Sequence, residues 1–150
     1  MKTRLISSVL TSMLLINTAA IASEMHSSTS LQDERKQIVK QYILDLQKAD
    51  YQDITQLFDK NGIVISTSKG KINAKEFFYA FLPEILTAST EEHQAFFSSD
   101  NSNHLGARFH FKFKLKEGEA GEGEYTDEFV FMDNSTKLEA VYMFENLKFP

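Results

Sequence analysis

Over residues 105–115 every second side chain is apolar. Leu105, Ala107, Phe109, Phe111, Phe113 and Leu115 alternate with Gly106, Arg108, His110, Lys112 and Lys114. A β-strand points successive side chains to opposite faces, so it puts the apolar set on one side and the charges on the other. A helix would scatter the same groups around its axis. Two further runs repeat the pattern: Tyr125, Asp127, Phe129 and Phe131 share one parity, and so do Leu138, Ala140, Tyr142 and Phe144. Val141 and Met143 take the opposite parity in the last run, which predicts a strand covered on both faces. The segments between the runs, 117–123 and 132–136, are short and carry Gly, Asp, Asn and Ser. Three long strands joined by short turns read as an antiparallel meander. Residues 93–98 read as one more strand.

Upstream the period is helical. Ile38, Val39, Tyr42, Ile43 and Leu46 recur at helical spacing, and Ser30 with Asp33 makes a starting pair, which predicts a helix over 31–48. Asp50 opens a short second helix with Ile54, Leu57 and Phe58 on its apolar face. Asn61-Gly62 reads as a turn, residues 63–65 as a short strand, and Ser68-Lys69-Gly70 as its end. Asn73 and Glu76 cap a third helix with Phe77, Phe78, Phe81, Leu82, Ile85 and Leu86 as its buried stripe. Pro83 falls inside that stripe and should kink or divide the helix. The Phe stripe reads as core packing rather than a cofactor box. Helices followed by strands predict an α+β fold, with three N-terminal helices packed on a curved, mainly antiparallel sheet.

The chain has no Cys, which excludes disulfides, thiolate metal sites and a Cys nucleophile. Its 13 Phe and 5 Tyr supply a core without disulfide support. A formal net charge of −5 argues against nucleic acid as a partner, because phosphate binding needs clustered Lys and Arg. Residues 1–22 read as a cleavable signal peptide: Lys2 and Arg4, an apolar run from Leu5 to Ile16, then Ala20-Ile21-Ala22 as a small-x-small cleavage pattern. That run is interrupted by Ser and Thr and is short of the ~20 apolar residues of a membrane span. The expectation is an exported protein, periplasmic or secreted, with no membrane attachment once the signal is removed. The polar segment 23–30 reads as a flexible leader, and 31–147 as the folded domain.

Asp127 carries the strongest chemical signal. Alternation puts it on the inward parity between Tyr125 and Phe129, where an ionised carboxylate is costly and the pKa should rise. A neutral carboxylic acid there can donate a hydrogen bond to a carbonyl or enolate oxygen. A carboxylate at the strand end, paired or solvated near the mouth, is the alternative. Tyr42 sits on the apolar stripe of the first helix, and its hydroxyl needs a partner if buried. Tyr125 and Tyr142 can also present hydroxyls. His93, His104 and His110 lack metal-motif spacing, so no metal is expected. Ser66, Ser68 and Ser89 lack a nucleophile-elbow context. Gly and Glu alternate over 118–123, which repels phosphate, and no cofactor is expected. Lys112, Lys114 and Lys116 opposite Glu122, Glu124 and Glu128 read as a solvated face with cross-strand ion pairs.

The run QYILDLQKADYQDITQLFDKNGIVIS (41–66) resembles the opening of the nuclear transport factor 2-like superfamily. INAKEFFYAFLPEIL (72–86) resembles its third helix, and DEFVFMDNSTKLEAVYMFEN (127–146) its terminal hairpin. The resemblance spans about residues 31–147, and its nearest subfamilies are the ketosteroid isomerases and the SnoaL-like polyketide cyclases. It implies a cone-like fold enclosing an apolar pocket. It places the isomerases' oxyanion-binding Tyr and Asp at Tyr42 and Asp127. Phe78, Phe109, Tyr125, Phe129 and Tyr142 would line the pocket beside them. The isomerases' base falls at or next to Ser66, which is no base at neutral pH without an activating partner. The resulting expectation is an exported domain that binds a small, largely apolar molecule. An isomerase, cyclase or lyase acting on a carbonyl compound, with Asp127 as acid or base, is the main alternative. A non-catalytic interaction module is another. A homodimer is expected through the sheet's outer face, at Val141 and Met143.

Overall fold

A computed structural model describes residues 30–99 and 101–146. The expected signal peptide, nearly all of the leader, and residue 147 lie outside the described residues. Helix α1 (Leu31–Lys48) starts where the Ser30 side chain accepts a hydrogen bond from the Asp33 N–H. It stops at Ala49, which turns left-handed (φ 54°) and bonds back to the carbonyls of Asp45 and Leu46. Asp50 caps α2 (Tyr51–Gln56) by accepting from the Gln52 and Asp53 N–H groups. Asn73 caps α3 (Ala74–Phe81) by accepting from the Lys75 N–H. Pro83 divides the third helix as expected: α3 ends at Phe81 and one 3-10 turn, Leu82–Glu84, follows. The expected stripe therefore stops early. Leu82 is buried, but Ile85 already belongs to a strand and Leu86 is exposed.

The strands are β1 (Phe58–Ser66), β2 (Gly70–Asn73), β3 (Ile85–Phe97), β4 (His104–Leu115), β5 (Ala120–Phe131) and β6 (Leu138–Asn146). They form one six-stranded sheet in the order β2-β1-β6-β5-β4-β3. Every neighbouring pair is antiparallel except β1 with β6, which is parallel. The sheet curves without closing, and the helical part packs on one face, giving the expected α+β cone. The phase of β4 and β5 is as alternation requires: Phe109, Phe111, Phe129 and Phe131 are buried while Lys112 and Lys114 are exposed. Each such buried Phe contributes about 1.5–3 kcal/mol relative to an exposed one.

Four details differ from the sequence expectation, each for a physical reason. Asn61-Gly62 is not a turn between elements but lies inside β1, at an irregularity between Phe58 and Ile63 in the pairing with β6. Gly62 fits there because a Cβ would approach the Phe58 Cβ to 2.9 Å. Strand β3 begins at Ile85, not at 93; it is an edge strand, mostly exposed, so no hydrophobic alternation announces it. The 117–123 loop is shorter than expected because β5 already runs from Ala120, with Gly121 under the Phe113 ring at 2.5 Å from where a Cβ would sit.

The fourth difference changes which residues face inward. Phe131 pairs with Leu138 but Val130 pairs with Ala140, so Glu139 is the extra residue of a bulge. The bulge reverses parity along β6. Leu138 points inward before it, and Val141 and Met143 point inward after it, packing in or against the core. Tyr142 and Phe144, 38 % and 53 % exposed, point outward. Val141 and Met143 therefore do not form the outer patch expected for a dimer.

The charged face of β4 and β5 is solvated as read from sequence, although histidines do much of the pairing. Lys112 Nζ meets Glu122 at 2.8 Å, His110 bridges Glu122 and Glu124, and His104 Nδ1 meets Glu128 at 2.6 Å. Such exposed pairs contribute little to stability.

Candidate functional site

The concave face of the sheet and the helices enclose a cavity of about 670 Å³. Helix α1 contributes Tyr42 and Leu46, α3 contributes Phe77, Phe78 and Phe81, and β4 contributes Phe109, Phe111 and Phe113. Tyr125 and Asp127 come from β5, and Met143 and Glu145 from β6. Ser66, Thr67, Ser68, Lys69 and Glu119 add polar groups. The walls are aromatic, and the polar side chains among them are few enough to orient a ligand rather than solvate it.

Asp127 is 1 % exposed. The Tyr42 hydroxyl donates to its Oδ2 at 3.3 Å, while its Oδ1 has no hydrogen-bond partner. Burial pushes the Asp127 carboxyl up to about 8, and the Tyr42 bond pulls weakly the other way. Tyr42 is itself fully buried, edge-on to Phe129 at 4.9 Å and to Phe78 at 5.9 Å. Burial first, and the adjacent Asp127 second, push its hydroxyl well above the ordinary tyrosine value. Both groups are thus neutral at pH 7. With Oδ2 accepting from Tyr42, the carboxyl proton belongs on Oδ1, the oxygen that lacks a partner. The arrangement can donate a hydrogen bond to an oxygen in the cavity.

Five of the residues expected at the site line this cavity together: Tyr42, Phe78, Phe109, Tyr125 and Asp127. Phe129 does not; it is fully buried behind the wall and buttresses the Tyr42 ring. Tyr142 is not in the cavity either, because the Glu139 bulge turns it to the outer face. Ser66 is at the cavity but is occupied locally, its Oγ accepting the Lys69 N–H at 3.1 Å in the turn after β1.

Sequence reasoning missed Glu145. Its Oε1 accepts the Tyr125 hydroxyl at 3.0 Å, and the Tyr125 ring stacks on Phe109 with centroids 5.8 Å apart. Burial, then the bond to Glu145, raises the Tyr125 hydroxyl above its ordinary value. The bulge that hides Glu145 from a parity argument is the one that misplaces Tyr142. Arg35 was missed as well: it is 1 % exposed on the inner face of α1. Its place on the stripe Arg35, Val39, Tyr42, Leu46 was the available signal.

No protein-family model matches the sequence. No curated protein matches it significantly either. Solved structures do match in shape. The epoxide hydrolase/cyclase-like enzyme SalBIII, described for pyran ring formation in the polyether salinomycin, is 17 % identical with a TM-score of 0.63, covering 78 % of this chain and 95 % of that one. BvnE pinacolase from Penicillium brevicompactum is 10 % identical with a TM-score of 0.66, covering 78 % and 89 %. A protein of ketosteroid isomerase-like fold from Catenulispora acidiphila, in complex with trimethylamine, is 9 % identical with a TM-score of 0.59, covering 71 % and 83 %. Helices on a curved, unclosed sheet, matched in shape by these proteins over most of their length, give the chain the nuclear transport factor 2-like fold.

Proposed function

We propose that this domain binds a small, largely apolar molecule through one carbonyl oxygen, held by the neutral carboxyl of Asp127 with Tyr42 behind it. The observation that carries this is the buried, unpartnered Asp127 Oδ1 in the wall of an aromatic cavity. A buried polar atom without a partner costs about 1–3 kcal/mol, and a ligand oxygen removes that cost. The test compares 2-tetralone and 2-decalone with their parent hydrocarbons, tetralin and decalin, by NMR titration of the cavity signals. The ketones should bind at least about tenfold tighter, the equivalent of one buried hydrogen bond. Asp127→Ala should erase the difference while leaving hydrocarbon binding in place. Equal affinity for ketone and hydrocarbon in the unmodified protein would sink the oxygen-binding role.

The homodimer also belongs to this proposal, but on different residues. Tyr142 and Phe144 are exposed large apolar side chains on the outer face of β6. Pairing of two outer faces would cover them. Sedimentation velocity should show a dimer at high micromolar concentration that Phe144→Glu dissociates, and a monomer at that concentration would remove the outer-face interface.

A further inference from the structure

We infer that a second pocket, partitioned from the aromatic cavity by Phe58 and Phe78, binds a phosphate group on three lysines. It is independent of the ligand reading above.

The lysines come from three elements: Lys60 from β1, Lys75 from the first turn of α3, and Lys137 from the turn before β6. They line a pocket of about 530 Å³, with Tyr51 and Gln52 of α2 beside them and the buried Phe58 as its apolar side. The pocket shares no lining residue with the aromatic cavity. Phe58 belongs to the lysine pocket and Phe78 to the cavity, and their ring centroids are 5.8 Å apart.

The charge here is unbalanced in a chain of net charge −5. Lys36 and Lys112 each sit on a carboxylate, whereas, among the described residues, none of the three pocket lysines forms an ion pair. Asp59 feels the charges of Lys60 and Lys137, but its Oδ2 accepts the Asn61 N–H and it lines a different cavity. Lys137 is held over the end of α2, where its Nζ donates to the Gln56 carbonyl, and an ammonium has two further donors to offer. Three like charges around one concavity repel each other, and an anion placed between them turns that repulsion into attraction.

The donor set selects the anion. An ammonium is a point charge, and three of them suit a compact, multiply charged group with several acceptor oxygens. A flat carboxylate is better matched by the fork of a guanidinium. Phosphate is the group that fits. The pocket has the volume of a small-molecule site, more than a bare phosphate fills. Tyr51, edge-on to Tyr79 with centroids 5.4 Å apart, gives the remaining room an aromatic side, which suits the organic part of a phosphate monoester. A nucleic acid would need a stripe of basic groups, and these lysines form one cluster on an acidic chain.

The test is an NMR titration of the backbone amides of the full chain, at low ionic strength, with inorganic phosphate and with phenyl phosphate. Sodium chloride at matched ionic strength is the control. Phosphate should give saturable shifts around Tyr51, Gln52, Lys60, Lys75 and Lys137 that chloride does not reproduce. Lys75→Gln should weaken binding about fivefold, the equivalent of one charge contact in water. Lys75 is exposed, so the variant keeps the fold, and Lys75→Arg should restore most of the affinity. Lys112→Gln, on the outer sheet face, should leave it unchanged. Tighter binding of phenyl phosphate assigns the pocket to a phosphate monoester, and equal binding assigns it to the free anion. Shifts that chloride reproduces, that fail to saturate, or that keep the same affinity in Lys75→Gln overturn the site.

Discussion

Arg35→Ala is expected to destabilise the fold by about 3–5 kcal/mol, because it leaves four neutral acceptor oxygens without their donor, at about 1–3 kcal/mol for each that water does not reach. Arg35 projects from α1 into the two turns at the far end of the β4–β5–β6 meander. Its Nε donates to the Ser135 carbonyl at 2.8 Å, and Nη1 donates to the Ser102 carbonyl at 3.0 Å and to Asn103 Oδ1 at 2.8 Å. Nη2 donates to the Met132 carbonyl at 2.8 Å, and the guanidinium carbon lies 5.1 Å from the centre of the Phe131 ring. One planar group thus ties the first helix to both turns. The planar fork is what allows it, since an ammonium on a flexible stem cannot reach acceptors in three fixed directions. Arg35→Lys should therefore recover less than half of the loss. Urea unfolding followed by circular dichroism measures both variants, with the slope m reporting whether the native state itself loosens. A loss under 1 kcal/mol for Arg35→Ala would mean that water replaces the guanidinium at these carbonyls and that the clamp is ornamental.

The same residue shows what a sequence makes legible. Helix α1 was readable because its stripe is local: the groups that define it are three or four positions apart. Arg35 fits that stripe by spacing, but three of its four acceptors are backbone carbonyls 67 to 100 positions away, at Ser102, Met132 and Ser135. Carbonyls carry no sequence signature, so a buried arginine reads as a surface one. Strands β4 and β5 were readable because one face is buried and the other solvated. Strand β3 was not, since an edge strand with an exposed run leaves no alternation. Asp127 was legible because it breaks an aromatic alternation on the buried face. Glu145 was not, because its orientation depends on the one-residue bulge at Glu139, and a bulge reverses every assignment that follows it. Tyr142 was assigned to the cavity for the same reason.

Asp127→Asn is expected to gain stability relative to wild type as pH rises. An unfolded aspartate titrates near 3.9, while the folded carboxyl titrates at about 8. Between those values the native state holds a proton that the unfolded chain has released. Stability then falls as pH rises, by about 1.4 kcal/mol per pH unit for one proton. The loss begins near pH 4 and is complete once pH passes 8, where both states are ionised. Over that window it is on the order of 5 kcal/mol. Asparagine cannot ionise and loses none of it. The two proteins should be closest in stability, or wild type ahead, near pH 4, and asparagine should lead clearly near pH 8.5. The comparison isolates Asp127, since Asp45, whose carboxyl is also raised by burial, is present in both proteins. Urea midpoints at several pH values give the curve. A difference that stays flat from pH 4 to 8.5 would place an ionised, solvated carboxylate at Asp127 and would take away the neutral donor on which ligand binding depends. A ligand oxygen that accepts from the protonated carboxyl pushes the folded value higher still. Saturating 2-tetralone should therefore extend the stable range of wild type toward alkaline pH, and should do so only while Asp127 is present.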